Sequence, residues 1–174
     1  MKTLHRTLIA TTIFASCAVA NAQSQRSMDN GYYAEVGFSP IELYGAGGGS
    51  NPDALRFLVG HDISPNLGVE AIYTTTVTKE SRVGYDASMS AFGLLLKPKL
   101  ALTPDTEIFA RVGAIRADIT ASASGAHTGT DFAYGLGIQT KFSDSMHVQL
   151  DYMHSYDRDS VRAKGYTVSI GKRF

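Results

Sequence analysis

The connections between the apolar stretches of this chain alternate in length, long then short, and that regularity constrains the fold more than any motif. Eight segments have one greasy and one polar face at period two, the pattern of β-strands. The first, from Gly31 to Ser39, sets Tyr32, Ala34, Val36 and Phe38 against Tyr33, Glu35 and Gly37. The last sets Tyr166, Val168, Ile170 and Phe174 against Thr167, Ser169 and Gly171. Three connections are tight turns: Ser64-Pro65-Asn66, Thr103-Pro104-Asp105 and Ser143-Asp144-Ser145. Four read as long polar loops: Ile41 to Asp53, Thr75 to Asp86, Ala117 to Gly129 and Ser155 to Gly165. Short turns at one end and long loops at the other are the layout of an outer-membrane barrel. A soluble sandwich has no reason to keep every odd-numbered connection long.

The same eight strands could build a soluble barrel with its greasy face inward around a ligand. Two observations oppose that. Tyr32, Phe38, Tyr73, Phe132, Tyr152, Tyr166 and Phe174 fall on the apolar face near strand ends, where interfacial aromatic girdles belong. The opposite face gathers glycines with both signs of charge, Glu35, Glu70 and Asp151 against Arg56, Lys97, Arg111 and Arg173. Buried charges must be paired, so such a face fits a narrow lumen crossed by ion pairs. Leu58, Ile72, Leu95 and Phe109 share it, which predicts a lumen plugged by side chains. The expected fold is therefore all-β, an eight-stranded antiparallel up-and-down transmembrane barrel. Pro98 falls on its lipid face, and a bulge near the periplasmic rim is expected to accommodate the missing donor. Lys172 interrupts the greasy face of the last strand and is expected to snorkel to head groups. Thr140 has no assigned role.

No apolar run approaches the roughly 20 residues of a membrane helix, so a membrane protein of this sequence crosses with strands. With 16 basic and 16 acidic residues, no overall field attracts nucleic acid. The first residues read as a signal peptide over 1–22. Lys2 and Arg6 make a basic start, Leu8 to Ala20 is apolar or small, and Ala20-Asn21-Ala22 is a cleavage motif. Cleavage is expected after Ala22, followed by a polar tail over 23–30 and the barrel over 31–174. Losing Lys2 and Arg6 leaves 14 basic against 16 acidic residues, and Cys17 leaves with the signal. The alternative is lipidation at Phe14-Ala15-Ser16-Cys17, with phenylalanine where leucine is usual.

Several stretches together resemble the OmpA-like family of small outer-membrane barrels, which includes the OmpX and Ail types. They are Val59-Gly60-His61 through Leu67 to Tyr73, Leu94 to Lys97, Ile108 to Gly113, Phe132 to Ile138, Val148 to Tyr152 and the C-terminal strand. In that family lumenal acids and bases pair across the barrel, and the matching positions are Glu70, Lys97, Arg111 and Asp151. The resemblance also implies that Tyr166, Val168, Ile170 and Phe174 form the signal read by the barrel assembly machinery. His61 and Lys172 stand where tyrosine is common, and Asp151 stands where glutamate is.

Other candidate sites carry plainer readings. Gly45 to Gly49 lacks the Lys-Ser/Thr of a phosphate loop and reads as loop. His61, His127, His147 and His154 lack ligand spacing, so no metal or cofactor is expected. Asp157 and Asp159 with Arg158 and Arg162 could meet a divalent ion or lipopolysaccharide phosphates, against the plainer reading of a solvated charged loop. His154, Ser155 and Asp157 are the candidates for a lipid A-modifying enzyme. Neighbours on a strand point to opposite faces, so His154 and Ser155 need a bend to pair. The expected function is a non-catalytic integral outer-membrane protein, structural or surface-interacting through four external loops. The alternatives are a lipid A-modifying enzyme and a narrow channel. Expected partners are outer-membrane lipid and lipopolysaccharide, the assembly machinery and a host or surface ligand.

Overall fold

A computed structural model describes residues 31–45, 48–77, 87–121, 125–158 and 161–174. The expected signal peptide, its cleavage site and the tail lie outside the described residues. Eight long strands are present there: β1 Tyr32–Gly45, β3 Asp53–Ser64, β4 Leu67–Thr76, β5 Ala87–Ala101, β6 Thr106–Ala121, β7 Gly125–Lys141, β8 Met146–Arg158 and β9 Val161–Arg173. A three-residue strand, β2 Gly48–Ser50, folds back only on the end of β1. Each long strand pairs antiparallel with the next, and β1 pairs with β9. The sheet closes on itself as an eight-stranded antiparallel barrel, which removes both open edges.

Alternation decides which way each side chain points. Tyr32, Phe38, Tyr73, Phe132, Tyr152, Tyr166 and Phe174 all project outward and exposed, within an apolar belt that includes Val59, Leu94, Leu136 and Ile170. Leu58, Ile72, Leu95 and Phe109 point inward and are buried. The short turns are closed by local bonds. Leu102 and Thr103 donate to the Thr106 carbonyl at 2.8 and 3.0 Å, while the Thr103 hydroxyl accepts from the Thr106 N–H at 3.0 Å.

At the other end the strands run further than their composition suggests. β1 continues through Ile41 and Leu43 to Gly45. β6 and β7 stay paired from Ala117↔Gly129 to Ala121↔Gly125. β8 reaches Arg158 and β9 resumes at Val161. Much of the first, third and fourth expected loops is therefore ladder; of the second, 78–86 lies outside the described residues. Gly and, to a lesser degree, Ala are weak strand formers, but propensity in a sheet yields to packing. Ile41, Leu43, Ala117, Ile119, Val161 and Ala163 all turn inward there and are buried together.

Pro98 is accommodated without the expected bulge. The β5–β6 register is the same at Leu96↔Val112 and at Lys99↔Phe109, and the pairing simply lapses across Lys97 and Pro98. Register shifts occur instead between Asp62 and Ser64 and between His154 and Tyr156. Thr140 acquires a role, since its hydroxyl lies 3.2 Å from that of its cross-strand partner Thr106. Lys172 is exposed and carries its ammonium 5.7 Å from the Phe174 ring centre.

Candidate functional site

The interior of the barrel is built in two layers. Toward the short turns it is a charged cluster. Glu70, on β4, lies beneath Arg111 of β6, which gives it a bidentate pair at 2.5 and 3.1 Å. Lys97 of β5 approaches the same carboxylate at 3.2 Å, and the Tyr33 hydroxyl of β1 donates to it at 2.8 Å. Arg111 also reaches Asp151 of β8 at 3.0 Å, and Arg56 of β3 makes a second, two-pronged pair with Asp151. Arg111 and Lys97 are both completely buried. The four residues Glu70, Lys97, Arg111 and Asp151 thus come from four strands and meet in one cluster.

The cluster is larger than those four. Glu35 of β1 lies 3.8 Å from Lys97 and 3.5 Å from Arg111, and it is held by Gln149 at 2.5 Å and His147 at 3.0 Å. Gln139 bridges Lys97 at 3.0 Å and Glu107 at 3.1 Å. At the short-turn rim Asp62 takes Lys99 and Arg173, both at 2.7 Å. Glu35, Arg56 and Arg173 are legible as inward charges; the sequence reading does not join Tyr33, His147, Gln139 and Gln149 to them. Their parity marks them, because His147 and Gln149 share the phase of Asp151, and Tyr33 that of Glu35. Gly171 beside His147 and Gly60 beside Tyr33 carry no side chain where a β-carbon would collide with these rings. Glycine here is a matter of close approach, not of backbone conformation.

Above the charges the lumen is apolar. Ile41, Leu43, Ile72, Met89, Ile115, Ile119, Met153 and Tyr156 form one buried cluster at the loop end. It lies over the Arg56–Asp151 pair as a lid of hydrocarbon. Inward Ile72 and Leu95 anticipate part of this layer, while Ile41, Leu43, Ile119 and Tyr156 lie in segments that read as loops.

The remaining candidates separate. His154 turns outward and stacks on Tyr134, with ring centres 5.1 Å apart, and its Nε2 lies 3.6 Å from Asp157. Ser155 sits at the register shift and lines a small inner cavity of about 20 Å³ with Ser39 and Thr167. Alternation along β8 puts Ser155 on the lumenal side with Met153 while His154 faces out, and the shift brings Tyr156 inward as well. Arg162 donates to Asp157 at 3.1 Å, and Lys164 pairs with Glu42 at 3.3 Å. Asp159 lies outside the described residues. Among the described residues no three His, Cys, Asp or Glu side chains gather as a metal-binding group. Tyr166, Val168, Ile170 and Phe174 all project outward from β9, and the Phe174 N–H donates to the Tyr32 carbonyl at 3.0 Å.

A family model described as the outer membrane protein beta-barrel domain matches residues 8–174. The chain belongs to this family of outer-membrane β-barrels. Solved structures of similar fold include Ail, the attachment invasion locus protein of Yersinia pestis, with a TM-score of 0.63 at 18% identity. That match covers 83% of this chain and 99% of Ail. Neisserial surface protein A follows at 0.65 and 14%, covering 82% of this chain and 97% of that one. The N-terminal barrel of Pseudomonas aeruginosa OprF gives 0.54 at 13%, covering 80% and 97%. At such identities the likeness establishes the fold. No curated protein matches the chain. The family places the protein in the outer membrane, with the apolar belt against lipid, and agrees with the resemblance read from the strands.

Proposed function

We propose that this protein is a non-catalytic outer-membrane barrel whose working surface is its external end. The observation that carries this reading is the filled interior. A charged layer and an apolar layer occupy the lumen in succession, so contact with other molecules is left to the strand ends and loops. The lumenal cluster, Glu70, Lys97, Arg111 and Asp151 with Glu35 and Arg56, then acts as a cross-brace between strands. Removing one member leaves a buried charge unpaired, which costs about 3–5 kcal/mol.

The external end offers Arg116 and Arg162 with the Lys164–Glu42 pair, a surface of mixed charge. Ail has been solved with the heparin analogue sucrose octasulfate, so sulfated glycans are the first surface ligand to try. Lipopolysaccharide, outer-membrane lipid and the barrel assembly machinery complete the proposed partners. The leading segment 1–22 is proposed as a cleaved signal peptide, which N-terminal sequencing of the mature protein tests directly.

The role is tested by comparing cells carrying the intact barrel with cells whose external loops are shortened, at equal amounts in the membrane. Binding to heparin-coated or host-cell surfaces should fall when the loops are shortened. Equal binding by both, or by cells lacking the gene, removes the surface role. An altered lipid A acyl pattern that Ser155→Ala abolishes would instead establish catalysis, and regular conductance steps would establish a channel.

A further inference from the structure

The lipid-facing wall is not of even height. One row of cross-strand partners runs Val59, Ala71, Leu94, Ala114, Phe132. Two of its five members offer only a methyl group between longer neighbours. The adjoining row, nearer the short turns, runs Tyr32, His61, Val69, Leu96, Val112. Here the wall sinks into a concavity of about 620 Å³, with almost wholly apolar walls that include Ala71, Leu94, Val112 and Phe132. That volume is in the range of about 300–1,000 Å³ typical of sites for small organic ligands. At the periplasmic end it is bounded by Tyr32 and His61, whose rings stack with centres 4.4 Å apart.

We propose that this concavity is a binding site for one acyl chain of a glycerophospholipid from the periplasmic leaflet. Hydrophobicity alone cannot drive this, since the surrounding tails are as apolar as the wall. What distinguishes the site is fit. A rigid hollow facing mobile chains loses dispersion contacts wherever they fail to fill it, and one chain lying along it recovers them. The direction of the hollow identifies the leaflet. It starts beside Tyr32 and His61, close to the Ser64–Leu67 turn, and climbs to Phe132 near mid-strand. Short turns face the periplasm, and the leaflet on that side holds phospholipid whereas lipopolysaccharide fills the other. A head group would lie level with the stacked Tyr32–His61 pair, whose polar ring edges suit the interface.

The test is native mass spectrometry of the purified barrel in detergent, after incubation with dipalmitoyl phosphatidylethanolamine and, separately, with lipopolysaccharide. The wild-type barrel should retain one phosphatidylethanolamine. Ala71→Phe, which fills the hollow, should lower the retained fraction about fivefold, equivalent to roughly 1 kcal/mol. Val112→Phe, on the same lining, should act in the same direction, and Val36→Phe, on the belt away from the hollow, should behave as wild type. Heat-modifiable gel mobility confirms that each variant is folded. The proposal is overturned if the wild-type barrel keeps no phospholipid, if folded Ala71→Phe and Val112→Phe both retain it as wild type does, or if Val36→Phe loses as much. Retention of lipopolysaccharide in place of phosphatidylethanolamine, sensitive to Ala71→Phe, would also overturn it.

Discussion

The hydroxyl of Ser39 donates to the carbonyl of Tyr166 at 3.2 Å, across the seam where the first and last strands meet. The β1–β9 pairing lapses between Phe38↔Val168 and Ile41↔Gly165, and the residue opposite Tyr166 is Pro40, which has no N–H to give. Ser39 supplies that donor from its side chain, and it is held in place by the Thr167 hydroxyl at 2.9 Å. The closure of the barrel is thus completed by a serine that substitutes for its neighbour.

Replacing Ser39 with alanine should destabilise the seam by about 1 kcal/mol, the net value of one hydrogen bond. Thermal unfolding in detergent measures this. Adding Pro40→Ala restores a backbone donor opposite Tyr166 and should recover much of the loss. No rescue by the double variant would show that the missing proline donor is not what Ser39 replaces.

Arg111→Ala removes the guanidinium shared by Glu70 and Asp151 and leaves both carboxylates in a closed interior. Stability should fall by about 3–5 kcal/mol. Arg162→Ala breaks an exposed pair with Asp157 and should cost less than about 1 kcal/mol. Equal transitions for the two variants would place Arg111 outside any buried network.

The apolar layer predicts an asymmetry between inward and outward hydrocarbon. Ile115, buried among Ile72, Met89 and Met153, should cost about 2–5 kcal/mol when changed to alanine. Leu94, its outward neighbour on β5, should cost far less in detergent, because its side chain contacts solvent tails in the folded and unfolded states alike. Similar losses at both positions would contradict a packed external interior.

Phe174 should matter to insertion more than to any external contact. Phe174→Ala is expected to lower the amount of folded barrel in the outer membrane and to raise periplasmic degradation products, while surface binding per folded molecule stays unchanged. Normal insertion of the variant would remove Phe174 from the assembly signal proposed with Tyr166, Val168 and Ile170.

Much of this architecture is legible in the sequence because a strand displays its two faces residue by residue. Glu70 and Arg111 announce the lumen by sharing a parity with glycines, Asp151 does so by alternating with Leu150 and Tyr152, and Tyr166 to Phe174 announce the belt. Two things were not legible. Ala117 to Gly129 reads as loop on composition, because the ladder that makes it strand depends on partners on β5 and β7. His147 and Gln149 look like unremarkable polar positions until closure of the barrel puts β8 one strand away from β1 and sets them against Glu35 across Gly171. Pro98 failed for a related reason, since local rules require a bulge and the closed ladder tolerates two unpaired positions without changing register.

Because β6 and β7 remain paired out to Ala121 and Gly125 over a packed apolar interior, the external segments stand on a stiff collar rather than on free tethers. A partner arriving from outside meets groups whose positions are largely set before contact, so less freedom is lost on docking. Affinity at that surface should then respond to substitutions inside the collar, at residues no partner touches. Loosening Ile119 or Tyr156 would blur the presentation of the surface without altering a single group on it.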